Sequence, residues 1–307
     1  MDSDADAAGA ARRRLLSPIL NNDEFQPLSS TVRVEYGAYS DIRPKGAPNE
    51  DHYLVVRLGR SQKTLATSLS EAETPLSFQE AGYAFLVADG IGGTGSGGVA
   101  SRLAVSTLVH LVIHYGRWNV RVDARTAFEI LERLDWAYNE IDETVKRHGR
   151  ANSQLEAMAT RMTCAYSAGD ELFVVHSGKS GAYIFRNGWL SPLSDVPPPP
   201  EPVKLGLRLV GDDRDRLADV ISDTIGGSGR PRVVTARYKL EDGDVLMLCS
   251  DRLVATLGEG RIADILTDRR KPDESCRRLV DAALEGRSAE NVTVVLAQYR
   301  IPARPRL

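Results

Sequence analysis

The stretch from residue 83 to residue 101 constrains the fold more than any other part of the sequence. An apolar run rich in strand-forming residues ends at Asp89, six glycines follow within the next nine residues, and an apolar pattern with helical spacing begins at Val99. Glycine permits positive φ and lets the backbone approach a neighbour closely. The pattern therefore predicts a buried strand, a tight turn and a helix. A carboxylate held at the end of such a strand suits a hard metal ion or a phosphate-linked site.

A nucleotide-binding alternative arises within the same stretch. Gly93, Gly95 and Gly98 have the spacing of the dinucleotide fingerprint and lie between a predicted strand and a predicted helix. This interpretation is the less favoured one, because the Asp89 carboxylate would repel a pyrophosphate. In addition, the predicted helix is followed by a second helix rather than by the strand that a βαβ unit requires.

Composition and charge exclude several classes of function. The chain has 307 residues, is 42% hydrophobic and carries a formal net charge of −3, so neither nucleic acid nor an anionic membrane is an expected partner. The sequence has neither a signal-peptide pattern nor an uninterrupted apolar run of about 18 residues, so we expect no membrane span. The three cysteines are widely spaced, which predicts reduced thiols and a cytoplasmic location.

The remaining pattern predicts one α+β domain with antiparallel sheets at residues 31–300, between a flexible tail at 1–30 and a short C-terminal tail at 301–307. Residues 59–80 are polar and predict a long loop, and the prolines at 197–200 predict an extended segment. Strands are predicted at 32–39, 52–58, 83–88, 162–167, 172–177, 182–186, 232–239, 245–250 and 291–299. Helices are predicted at 99–115, 124–147 and 273–286.

Acidic residues stand where several of these strands meet polar turns. Glu50 and Asp51 precede one strand, Asp89 and Asp251 follow two others, and Glu290 lies just before the last strand. Each one alone is more often a turn or cap residue. If the sheets pack face to face, these strand ends can converge, and clustered carboxylates repel one another unless cations lie between them. Oxygen-only ligands favour Mg²⁺ or Mn²⁺ over zinc.

Together, these residues resemble the type 2C (PPM) family of metal-dependent serine/threonine protein phosphatases, in its bacterial form. The likeness extends from Val32 to Tyr299 and keeps the order of the family's motifs. The matching segments are residues 40–41 with 48–51, 87–93, 158–163, 176–183, 248–251 and 290–295. Of these, 87–93 resembles the family's Asp-Gly signature and 158–163 its Met-Gly-Thr-Thr-x-Thr strand.

The resemblance implies an α/β/β/α sandwich, in which helices flank two antiparallel sheets, and a site for two Mn²⁺ or Mg²⁺ ions at one end. It implies a phosphoric monoester hydrolase in signalling, with metal-activated water attacking phosphoserine or phosphothreonine in a protein. The expected partners are that phosphoprotein and a serine/threonine kinase. Asp89 and Asp251 are the expected catalytic residues. The expected metal contacts are Glu50, Asp51, Asp89, the Gly90 carbonyl, Asp251 and Glu290.

The sequence also departs from the family pattern around the expected site. Gly46 stands where the family has an arginine that grips the substrate phosphate, which leaves Lys45 and Arg43 as candidate phosphate-binding residues. Lys179 replaces the aspartate of the hairpin motif, and its charge would repel a metal ion if it faced the site.

Three further departures concern residues near expected metal positions. Glu290 is one methylene longer than the family's aspartate, Glu156 stands where many relatives have an aspartate for a third metal, and Arg252 replaces a glycine. Two hypotheses therefore remain open. The retained carboxylates favour an active phosphatase, even if a slow one. The departures favour a catalytically weak or inactive relative that acts as a phosphoprotein-binding or regulatory module.

Overall fold

The computed structural model describes residues 28–42, 48–70, 74, 76–92, 95–116, 122–178, 180–193, 224–285 and 291–303. Its strands are β1 (Arg33–Asp41), β2 (His52–Lys63), β3 (Ser77–Ile91), β4 (Ala159–Ala168), β5 (Glu171–Ser177), β6 (Gly181–Arg186), β7 (Trp189–Pro192), β8 (Val234–Lys239), β9 (Val245–Cys249) and β10 (Val292–Arg300). Its α-helices are α1 (Ser96–Tyr115), α2 (Ala124–Ala151), α3 (Asp251–Thr267) and α4 (Pro272–Glu285).

The strands form two five-stranded antiparallel sheets. The first has the order β1-β10-β9-β6-β7 and the second has the order β2-β3-β4-β5-β8. Helices α3 and α4 pack on the first sheet, and α1 and α2 pack on the second. This arrangement confirms the predicted α+β class and the α/β/β/α sandwich.

The uninterrupted apolar run of β3 follows from burial on both of its faces. Phe85 and Val87 point toward the first sheet and pack with Leu248 and Val295 in the core between the sheets. Leu86 and its neighbours of the same parity face the helical layer instead. Residues 85–88 are buried on both faces, so the part of β3 that leads to Asp89 is an interior segment of the sandwich.

Helix α1 combines a long apolar composition with a tightly packed inner face. By length and hydropathy alone it could span a membrane, a test that core helices of soluble proteins also pass. Small residues such as Ala100 and Ala104 are fully buried in the cluster shared with β3. In this fold, α1 therefore forms part of the covering layer of the second sheet.

The structure corrects the predicted loop at 59–80. Strand β2 continues to Lys63 and β3 begins at Ser77, so only the residues between them connect the two strands. The outer halves of both strands are partly exposed, and many of their side chains are polar. They therefore lack the alternation of apolar and polar residues from which a strand is predicted.

Two elements were also missing from the predictions. Helix α3 was missed because its sequence contains Gly258, which adopts a left-handed φ of 72° and interrupts the helical geometry. The four-residue strand β7 was too short to give a pattern. Most of the two predicted tails lies outside the described residues. The predicted proline segment at 197–200 lies entirely outside them.

Candidate functional site

Three carboxylates from both sheets meet at one end of the sandwich. Asp51 immediately precedes β2, Asp89 lies near the end of β3, and Asp251 begins α3 after β9. Asp89 and Asp51 repel each other, and Asp89 and Asp251 do so as well. The predicted convergence of these strand ends is therefore present for these three residues.

A chain of hydrogen bonds positions Asp51 and was not anticipated from the sequence. Thr293 on β10 donates from Oγ1 to Asp51 Oδ2 over 2.6 Å. Ser40 on β1 donates to Thr293 Oγ1 at 2.6 Å, and Asn49 Nδ2 donates to Ser40 Oγ at 2.8 Å. Asn49 also accepts from the Asp51 backbone N–H at 3.0 Å. These hydrogen bonds connect the segment before β2 to β1 and β10 of the first sheet.

Asp51 is held in a site that disfavours its charged form. Its side chain is almost fully buried, and Oδ1 has no hydrogen-bond partner among the described residues. Burial, followed by the nearby charge of Asp89, raises the pKa of Asp51 to about 8, although the hydrogen bond from Thr293 acts in the opposite direction. A cation beside Asp51 would therefore relieve an unfavourable environment.

Arg161 is the principal site residue that sequence reasoning missed. It lies on β4 directly opposite Asp89 in the β3–β4 register. Its Nη1 donates to Asp89 Oδ2 at 2.9 Å and to Asp251 Oδ2 at 2.7 Å. The available signal was its position, because Arg161 stands at the second threonine of the Met-Gly-Thr-Thr motif.

The environment of Asp89 reflects these opposing neighbours. Burial is the largest influence and raises the pKa of Asp89 to about 6, with the Arg161 guanidinium lowering it and Asp251 raising it. The backbone here is also fixed, because Thr160 Oγ1 donates to the Asp89 carbonyl oxygen at 2.9 Å. Asp89 is thus a largely buried carboxylate that forms an ion pair with Arg161.

The glycines after Asp89 allow α1 to approach the end of β3. A Cβ on Gly90 would lie 2.4 Å from the carbonyl carbon and oxygen of Gly97, so these two backbones are in direct contact. Gly95 caps the helix with a φ of 90° and donates its N–H to Glu50 Oε1 at 2.8 Å. The Glu50 carboxylate therefore interacts with the positive end of α1.

The other predicted site residues are not drawn together by the described structure. Glu156 is exposed beside Gly149 at the end of α2, and Arg252 is exposed in the first turn of α3. The positions of Glu290, Arg43, Lys45, Gly46 and Lys179 lie outside the described residues. Their predicted roles remain predictions.

The conformation described does not fit a pair of metal ions. The oxygen-only donors Asp51, Asp89 and Asp251 have the right chemistry for Mn²⁺ or Mg²⁺. However, Arg161 already bridges Asp89 and Asp251 through one nitrogen. Within the part of the chain that the structure describes, no group of three or more His, Cys, Asp or Glu side chains is arranged to hold a metal ion.

Comparison with known proteins gives a consistent set of relatives. The chain is 29% identical over 215 residues to the serine/threonine protein phosphatase PstP of Mycobacterium tuberculosis, covering 69% of this chain and 39% of PstP. It is 26% identical over 223 residues to the serine/threonine phosphatase stp of Listeria welshimeri, covering 72% and 86% of the two chains. The chain thus spans about two fifths of PstP. No protein-family model matches it.

Solved structures share the fold. The catalytic domain of PstP in complex with two manganese ions superposes with a TM-score of 0.62 at 25% identity, covering 88% of this chain and 99% of that domain. The serine/threonine phosphatase of S. agalactiae gives a TM-score of 0.64 at 23% identity, covering 86% and 99%. The second likeness supports the sandwich architecture alone.

Proposed function

We propose that this chain, which belongs to the type 2C family of metal-dependent serine/threonine protein phosphatases, hydrolyses phosphoserine and phosphothreonine in proteins. The observation that carries the proposal is the convergence of Asp51, Asp89 and Asp251 at one end of a sandwich shared with the catalytic domain of PstP. The order of motifs along the chain supports the same assignment.

The finer part of the proposal concerns the cofactor. By analogy with PstP, whose catalytic domain was solved with two manganese ions, we infer a requirement for two Mn²⁺ or Mg²⁺ ions that activate the attacking water. The described conformation does not accommodate them, because Arg161 occupies the space between Asp89 and Asp251. Metal-dependent activity therefore requires a conformation in which the Arg161 side chain has moved.

Several contextual assignments belong to the same proposal. The substrate is a phosphoprotein, with a serine/threonine kinase of the same cell as a candidate, and the setting is the cytoplasm. Residues 31–300 form the catalytic unit. Neither a nucleic acid nor a membrane is included among the partners, in keeping with the net charge of −3. An inactive binding module is not favoured, because the relatives described above are named as phosphatases.

The test is hydrolysis of p-nitrophenyl phosphate and a phosphothreonine peptide over a range of Mn²⁺ and Mg²⁺ concentrations. We expect metal-dependent phosphate release by the wild type and a loss of at least about 100-fold in Asp89→Asn, because that change removes the central carboxylate charge. Asp281→Asn, an exposed change on α4, is the matched control and should retain full activity. A folded wild type that releases no phosphate from either substrate at any metal concentration would contradict the proposal.

A further inference from the structure

Arg161 places a positive charge between two of the carboxylates that are the expected metal contacts. One guanidinium nitrogen contacts both Asp89, from the second sheet, and Asp251, which follows the first sheet, at 2.9 and 2.7 Å. The three side chains are largely buried, with 15%, 14% and 24% of the surface of Arg161, Asp89 and Asp251 exposed. Charge-assisted hydrogen bonds in such a partly desolvated setting are strong. Arg161 therefore offsets part of the repulsion between these two carboxylates.

The surrounding backbone makes room for the arginine stem. Gly178, which follows β5, has a φ of 89°, and a Cβ there would lie 2.6 Å from Arg161 Cγ and 3.3 Å from its Cδ. The absence of a side chain at Gly178 thus leaves space that the aliphatic part of Arg161 fills. The β3–β4 pairing fixes the arginine backbone opposite Asp89. Arg161 is therefore a built-in part of the site and not a surface side chain that reaches into it.

One hydrogen-bond donor of the Arg161 guanidinium is left unsatisfied in this position by the residues that the structure describes. Its Nε is buried and has no hydrogen-bond partner among the described residues. A buried donor without a partner weakens the preference for that position. Meanwhile, Asp51 Oδ1 is also buried without a partner in the described part of the chain. If the guanidinium moves toward water, Arg161 Nε can donate to a water molecule. A cation that enters in its place can then bind Asp51 Oδ1.

We propose that Arg161 is the resident cation of this site and sets its metal requirement, so that a divalent ion binds Asp89 and Asp251 only when the guanidinium has withdrawn. Arg161 Nη1 lies within hydrogen-bond distance of Asp89 Oδ2 and Asp251 Oδ2, so it occupies the space beside these oxygens that a metal ion bound to both would need. In the absence of metal, the arginine holds the carboxylates together. Occupancy by metal then includes the free-energy cost of displacing it.

This inference depends on the proposed function only for the choice of metal, so its test measures Mn²⁺ binding by calorimetry without any substrate. Arg161→Met keeps the unbranched stem of the side chain and removes the guanidinium charge, and Arg161→Lys keeps the charge. We expect Arg161→Met to bind Mn²⁺ at least tenfold more tightly than the wild type and Arg161→Lys to stay within about threefold of it. Arg125→Ala, an exposed change on α2, should bind as the wild type does. Equal affinity of the wild type and Arg161→Met would overturn the inference.

A second measurement uses only the folded wild type and covers the case in which Arg161→Met does not fold. The ¹⁵Nε resonance of Arg161, assigned by its loss in Arg161→Lys, should move in proportion to site occupancy as diamagnetic Mg²⁺ is added. A resonance that stays fixed while Mg²⁺ binds would refute displacement. If phosphatase activity is absent but both results hold, the inference stands and the proposed function fails. Full activity without either result would support the proposed function and refute the inference.

Discussion

Replacing Gly90 by alanine should be among the most destabilising single-methyl additions in this protein. The new Cβ would lie 2.4 Å from the Gly97 carbonyl carbon and oxygen and 2.7 Å from the Glu50 carbonyl oxygen. Favourable carbon contacts are about 3.5–4.0 Å, so the end of β3 and the first turn of α1 must separate by roughly 1 Å. All of these atoms belong to the backbone, so a change of rotamer cannot relieve the overlap.

The size of the effect follows from that separation. Overpacking commonly costs about 1–3 kcal/mol, and a clash between two backbones belongs at the upper end of that range. A gap of about 0.5–1 Å also removes about a quarter to a half of the attraction between the surfaces it separates. We therefore expect a loss of about 3 kcal/mol in the free energy of unfolding, equivalent to a fall of roughly 6–12 °C in Tm for a domain of this size.

Gly59→Ala in β2 provides the matched control. Its Cβ would meet only the Glu80 carbonyl oxygen, at an ordinary 3.6 Å. An alanine there should be neutral or stabilising by up to about 1 kcal/mol, because it reduces the freedom of the unfolded chain. Both variants should be unfolded with urea and followed by circular dichroism. Transition midpoints that coincide for the two variants would refute the reasoning.

Two further predictions concern the core and a buried carboxylate. Tyr299→Phe should lower the free energy of unfolding by about 1–2 kcal/mol in urea denaturation, because Tyr299 Oη donates to Ser167 Oγ at 2.9 Å and both groups are buried between the sheets; adding Ser167→Ala to it should cost less than Ser167→Ala costs alone. The hydrogen bonds from Arg237 hold the pKa of Glu171 below its ordinary value, so its stabilising effect is present near neutral pH and lost as the pH falls through the lowered value. Glu171→Gln should therefore destabilise the protein at about pH 7 and progressively less as the pH falls through the acidic range, and an effect that does not change with pH would contradict this assignment.

The sequence predicted the part of the site whose residues are adjacent along the chain. The strand, Asp89 and the glycines are adjacent along the chain, so composition alone revealed a carboxylate at a tight strand-to-helix turn. The role of Arg161 could not be predicted in this way. It depends on which residue of β4 pairs with Asp89, and that register is set by contacts between distant parts of the chain.

The missed fold elements have a similar physical origin. The outer part of β2 is paired with β3 through Lys63, but its side chains are mostly exposed. Backbone pairing stabilises such a segment without requiring an apolar pattern, so the sequence resembles a loop. Helix α3 was missed for the opposite reason, since Gly258 breaks its local geometry while Leu253 and Ile262 remain fully buried against the first sheet.

The position of β10 in the first sheet has a consequence for how the protein is made. This last strand lies between β1 and β9, and its Thr293 is separated from Asp51 by 242 residues. Contacts between such distant residues form late, because closing a long loop costs conformational entropy. During synthesis, β1 therefore lacks its partner until residues 292–300 have left the ribosome. A chain truncated before β10 would expose the open edges of β1 and β9, so the hydrogen bond from Thr293 to Asp51 can form only after residues 292–300 have emerged.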